Sequence, residues 1–265
     1  MQQQATSILN LHSGGHEVER SALALVPTPP ATATYFPVGH ETCVATVERA
    51  LTDAGFAIRS SRFALARNDA RLFATMDLEA ALATGVTLAV GIRNSLDKSF
   101  PLGWVAGHTV FVCSNLSFRS ELSVKRKHTK FGHERFGEAI RHAIGNLVQF
   151  RAHEAGRIKR LQEAEIDDRF AESLMLRAFE QQLVSHRVLP EVIAQWRKPD
   201  FEEFSERSAW SLMNAFTTVL RPRFKSNAQA FASQTMRLGG LFDAALGIAP
   251  FVPNGNGDPD HGTAA

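Results

Sequence analysis

The chain has 265 residues, 44% of them hydrophobic and 21% charged; that is enough apolar material for one large domain, or a domain with a helical appendage, and it excludes a disordered or fibrous chain over most of the length. Lys+Arg (29) against Asp+Glu (27) leave a formal charge of only +2, so affinity for an acidic partner depends on where the charges sit. Two cysteines, Cys43 and Cys113, with no C-x-x-C pair exclude a disulfide scaffold and a four-cysteine zinc site and suit a reducing, cytoplasmic compartment.

Residues 1–35 carry Gln, Ser and Gly and the run Pro27-Thr28-Pro29-Pro30, and show little periodicity, which predicts a flexible arm. From Glu41 to Ala54, Val44, Val47 and Leu51 recur at helical spacing, and Gly55 follows where a left-handed cap would sit. Phe63 and Leu65, then Leu72, Ala74, Met76 and Leu78, alternate across an Asn68-Asp69 turn and predict a hairpin. Val86, Leu88, Val90 and Ile92 form the clearest strand, with Arg93 on its other face. A second hairpin is expected from Phe100–Val105 and Thr109–Cys113, broken by Ala106-Gly107-His108. After Phe118 the period becomes helical, with Phe136, Ile140, Ile144 and Leu147 as a core-facing stripe near a helix starting about Arg135. Beyond Arg151 the pattern stays helical, with Asp167 and Asp168 as cap candidates and Pro190 opening a short helix. Pro and Gly crowd the residues after about 247 and predict a loose tail.

Strands followed by helices predict an α+β fold: an antiparallel β-meander flanked by helices, followed by a helical C-terminal region. The expected parts are an arm (1–35), an α+β core (36–150), a helical region (151–247) and a tail (248–265). No apolar stretch approaches the roughly 20 residues of a membrane span, and the first residues lack a secretion signal. No membrane partner is expected.

P-loop, Rossmann, zincin and nucleophile-elbow signatures are absent, which lowers the weight of those chemistries; a non-enzymatic protein is favoured over an enzyme, and no cofactor is expected. Glu134, Glu138, His142 and His153 lie near one helix face and are a metal candidate, but ordinary solvated positions are the favoured reading and no metal is expected. Cys113 is a nucleophile candidate, with a small buried hydrophobe as its favoured alternative.

The strongest feature is electrostatic. Between Arg119 and Arg160 eleven Lys and Arg face four Glu, a formal +7, whereas Leu161 to Glu203 has ten carboxylates against five cations, or −5. Phosphate binding needs clustered cations, and Lys125-Arg126-Lys127-His128-Thr129-Lys130 supplies them in an expected loop between Phe118 and Phe131, which are placed to stack bases. The bland alternative is a solvated loop with core phenylalanines.

Gly91-Ile92-Arg93-Asn94-Ser95-Leu96-Asp97-Lys98-Ser99, Val110-Phe111-Val112-Cys113-Ser114-Asn115-Leu116 and His128-Thr129 resemble the phage- and plasmid-associated family called domain of unknown function 932. The likeness spans about 39–150, extends to the segment Arg207–Phe216, and departs at Ser114, where members often carry an acidic residue. It implies a setting, mobile elements and their DNA, rather than an activity. The order helix, meander, helix is also similar in topology to single-strand annealing proteins of the RecT and Erf type. From the residues themselves, Asn94, Ser95, Asp97 and Asn115 are expected to close a turn by side-chain to backbone bonds. The alternative gathers Arg93, Asn94, Asp97, Asn115 and His128 into a small-ligand or enzyme site. The favoured expectation is single-stranded DNA held by Arg93, Arg119, Lys125, Arg126, Lys127, Lys130 and Arg135. A protein-interaction or counter-defence module using the acidic helices is the other reading, and a homo-oligomeric state is left open.

Overall fold

The computed structural model describes residues 15–110, 115–224 and 228–254. Six strands, β1 (His16–Val18), β2 (Ile58–Ala66), β3 (Arg71–Ala83), β4 (Val86–Ser95), β5 (Leu102–Val110) and β6 (Asn115–Arg126), form one antiparallel sheet in sequence order. The first predicted hairpin pairs Phe63 with Ala74 and Leu65 with Leu72. Its turn places Arg67, Asn68 and Asp69 at φ of 55°, 53° and 61°, a conformation that Asn and Asp tolerate better than most residues.

Two expectations about strands are corrected. Ala106-Gly107-His108 does not break a strand: β5 runs through it, and the irregularity is a shift in its pairing with β6 between Val105 and Gly107. Backbones approach so closely there that a Cβ on Gly107 would lie 2.1 Å from the Ser117 carbonyl oxygen, so the glycine permits an irregular strand rather than a turn. β6 also continues past Phe118 to Arg126. Lys125 and Arg126 are therefore strand residues, and only the end of the basic run lies in the connection to the next helix.

Seven α-helices, with 3-10 turns at Arg20–Leu25 and Glu202–Phe204, complete the described fold: α1 (His40–Asp53), α2 (Gly132–Gly145), α3 (Leu147–Glu163), α4 (Asp168–Glu180), α5 (Leu189–Arg197), α6 (Ala209–Phe224) and α7 (Ala228–Leu246). Gly55 takes its left-handed conformation after α1 (φ 80°). Asp167 caps α4 by accepting from the Phe170 amide at 2.8 Å, and Pro190 opens α5. The stripe Phe136, Ile140, Ile144 and Leu147 is buried, with α2 against β6 and α1, as the alternation required of a covered sheet face. α3 packs on β3, while α6 and α7 pack on β6.

Packing crosses the expected boundaries at 35 and 150. α3 spans the second, and one hydrophobic core runs from Leu23 to Phe251. The described part of the expected arm is anchored: β1 pairs with β2, Leu23 is buried, and Arg20 forms ion pairs with Glu41 and Glu48 of α1. At the other end Ile248 and Phe251 are buried, the latter edge-on to Phe150 with ring centroids 5.4 Å apart. These contacts join residues far apart in sequence, so local composition carried no sign of them. The remaining parts of the arm and tail, 1–14 and 255–265, lie outside the described residues.

Candidate functional site

Side chains alternate along a strand, so register decides which residues of the sheet meet. Phe73 pairs with Arg93, Arg93 with Gly103, and Gly103 with Lys125, giving one row across four strands. The next row on the same face is Thr75, Gly91, Val105 and Ser123. These rows floor a groove of about 610 Å³ whose far wall is α7, through Ala232, Ser233, Met236 and Gly240. Its size falls in the roughly 300–1,000 Å³ range of ligand clefts. Two glycines let neighbouring side chains pack down onto the floor. At Gly91 an added Cβ would strike the Phe118 ring at 2.7 Å, and at Gly103 one would strike the Arg93 Nε at 2.8 Å.

Charge in the groove is one-sided. Arg93 is half-buried, its guanidinium stacks over Phe100 at 5.3 Å, and it has no carboxylate partner among the described residues. Burial pushes its guanidinium below the ordinary value with no compensating anion, yet arginine stays charged in proteins. Lys125 is exposed at the same end and forms no ion pair among the described residues. Arg237 reaches the rim from α7 and donates to the Gln181 carbonyl oxygen. Beyond Lys125 the chain leads to Lys127 and Lys130, both exposed, and to Arg135 in the first turns of α2. Arg126 is half-buried and donates to the Lys125 carbonyl oxygen at 2.8 Å.

Arg119 is a correction to the expected basic surface. It is 3% exposed, donates to Asp243 Oδ2 at 2.7 Å, pairs with Glu121, and lies 3.8 Å from Glu154. Arg157 is equally enclosed, donating to Asp243 Oδ1 at 2.6 Å and to Glu154 Oε1 at 3.3 Å, while His108 Nδ1 sits 2.9 Å from that same oxygen. Two cations counted in the +7 segment are thus neutralised inside the fold, where buried charges require partners. The stacking expectation divides in the same way: Phe118 is buried, whereas Phe131 is 50% exposed beside the Lys130 ammonium.

Ser95 and Asp97 close the Arg93–Lys98 segment as expected, whereas Asn94 is turned away from it and no shared pocket forms. The Ser95 hydroxyl donates to the Phe100 carbonyl oxygen at 2.6 Å. Asp97 accepts from the Ser99 amide at 3.0 Å and from Arg71 Nε at 2.7 Å. Asn94, by contrast, points to the face opposite Arg93 and donates to the Val38 carbonyl oxygen at 2.7 Å and to His40 Nδ1 at 3.0 Å. His128 belongs to this second cluster, beside Val38 and Tyr35. Strand alternation therefore separates Arg93 from Asn94 and His128, against the five-residue ligand site. Asn115 pairs with Val110 through its backbone; its side chain, like all of Cys113, lies outside the described residues.

Among the described residues no three His, Cys, Asp or Glu side chains come together to hold a metal. Glu134 and Glu138 line a polar pocket against α1 with Arg49 and Arg141, and His153 contacts the Ala249 carbonyl oxygen. Cys43 is buried and its thiol is pushed up to about 12 by desolvation, which leaves it inert as a nucleophile. No described helix is long and apolar enough to cross a membrane.

The groove was missed in the sequence although it left a trace: Gly91 and Gly103 interrupt otherwise well-formed strands, and a strand glycine often marks close approach of another group. Comparison with protein families, curated proteins and solved structures finds no match for the chain.

Proposed function

We propose that this protein binds single-stranded DNA without catalysing a reaction on it, in the setting of a mobile genetic element. The observation that carries the reading is the pair Arg93 and Lys125 at one end of the groove, neither with an ion-pair partner among the described residues; Lys127, Lys130 and Arg135 follow Lys125 along the chain and are exposed. A half-buried arginine without a carboxylate is costly unless an anion completes it. Exposed cations that follow one another along the chain beyond Lys125 suit a repeating anion better than a single one. The mobile-element setting is supported only by the resemblance of the Arg93–Ser99 and Val110–Leu116 segments.

The test is fluorescence anisotropy of a labelled oligonucleotide titrated at several salt concentrations. The intact chain is expected to bind at low salt, and replacing Lys125, Lys127 and Lys130 by Ala should make the slope of log affinity against log salt shallower by roughly 0.7 per lost contact. Absence of binding at low salt, or an unchanged slope, would overturn the reading. In that event a protein-interaction role gains ground, since Leu176 and Phe179 stand 55% and 40% exposed, three apart on α4 in the acidic segment.

A further inference from the structure

Resting on that reading, we infer that the groove receives one unstacked nucleotide of the bound strand, its phosphate between Arg93 and Lys125 and its base against the apolar surface formed by Val105, the Phe118 ring that covers Gly91, and α7. Arg93 and Lys125 occupy one register row with only Gly103 between them. At roughly 4.8 Å per strand their backbones stand about 10 Å apart, a span that two long side chains close around a single phosphate. Gly103 is what allows this, because any side chain there would occupy the space taken by the Arg93 stem, whose Nε lies 2.8 Å from the missing Cβ. The Phe100 ring backs the guanidinium from its other side.

One row further in, the chemistry changes. Thr75, Gly91 and Val105 present no charge, the Phe118 ring lies beside Gly91, and Met236 and Ala232 of α7 close the wall. An anionic end joined to a flat apolar body describes a nucleotide, since bases stack on aromatic and apolar surfaces regardless of sequence. The volume of about 610 Å³, bounded by α7, admits one such unit and excludes a duplex.

The same chemistry is carried by a free nucleotide and by inorganic phosphate, so the experiment uses the full chain with four probes: a labelled oligonucleotide, dTMP, thymidine and inorganic phosphate. Two variants accompany it. Arg93→Gln removes the anion partner, and Ser233→Trp fills the groove from an exposed α7 position while keeping Arg93 and Lys125. Expected results are that dTMP competes with the oligonucleotide, that thymidine and phosphate each compete about tenfold or more weakly, and that both variants lose dTMP while melting as the intact chain does. Oligonucleotide binding that is insensitive to dTMP and unchanged in Ser233→Trp overturns the inference and leaves the DNA reading standing. Phosphate competing as well as dTMP also overturns it, by reducing the groove to an anion site. Failure of the oligonucleotide to bind the intact chain overturns both; dTMP binding in that case would assign the groove to free nucleotides. If Ser233→Trp does not fold, Arg93→Gln and the competition series decide alone.

Discussion

Asn94 is fully buried, and its amide nitrogen serves two acceptors on the segment that leads into α1, the Val38 carbonyl oxygen and His40 Nδ1. Truncation to Ala strands both acceptors away from water, so Asn94→Ala should cost about 1–3 kcal/mol in a denaturant titration. Asp97→Ala removes bonds to Ser99 and Arg71 at the surface and should cost about 1 kcal/mol or less. Equal losses would show that Asn94 is not the tie between sheet and α1. The same cluster sets a pH dependence. Burial pushes His40 down despite the Asp69 carbonyl, and it pushes His128 down with help from neighbouring His40. The unfolded chain then takes up protons near 6.5, the ordinary imidazole value, while the folded chain does not. Stability therefore falls as pH drops below about 6.5, with the loss complete at the lower, folded-state values. Melting midpoints measured from pH 8 to pH 5 should show this decline, and His128→Phe should flatten it; an unaltered slope would place the titration elsewhere.

At the scale of elements, β5, β6, α3 and α7 meet at Glu154. Burial alone would push this carboxyl up, but Arg157 first, then His108 and Arg119, outweigh it and hold it well below the usual carboxylate range. A depressed carboxylate contributes stability above its unfolded-state value and loses it as pH falls toward the folded one, so this contribution erodes from about 4.5 downward. Glu154→Ala leaves Arg157 and Arg119 short of an anion and should cost about 3–5 kcal/mol in urea, whereas a loss below 1 kcal/mol would mean that water or Asp243 replaces it. This cluster also explains which elements could be read in advance. Val86–Ile92 and the Phe136–Leu147 stripe declare themselves because their partners recur every two or four residues. Arg119 looked like a surface cation because its partner Asp243 is 124 residues away, and no local pattern reports such a distance. The strand through Gly107 and the groove at Gly91 and Gly103 were hidden for the opposite reason: a missing side chain reads as a break until the neighbour filling its place is known.

Across the whole molecule, every strand pairs with its neighbours in sequence, while the helices that close the core come from far along the chain. Deleting everything after residue 224 removes α7, and with it Asp243 and the Phe242 ring that meets Phe216 edge-on at 6.1 Å. The shortened chain should melt without a cooperative transition in calorimetry, and a sharp transition near that of the full chain would show that α7 is an accessory.

The position of Asp243 also has a bearing on the order of assembly. The meander can zip up from adjacent hairpins as soon as Arg126 is made, but Arg119 and Arg157 must remain hydrated until a carboxylate 124 and 86 residues later reaches them. Dehydrating two guanidinium groups with only part of their counter-charge opposes closure. During synthesis the layer between sheet and helices therefore stays wet and open while α4, α5 and α6 emerge, and the arrival of α7 expels the water and commits the fold.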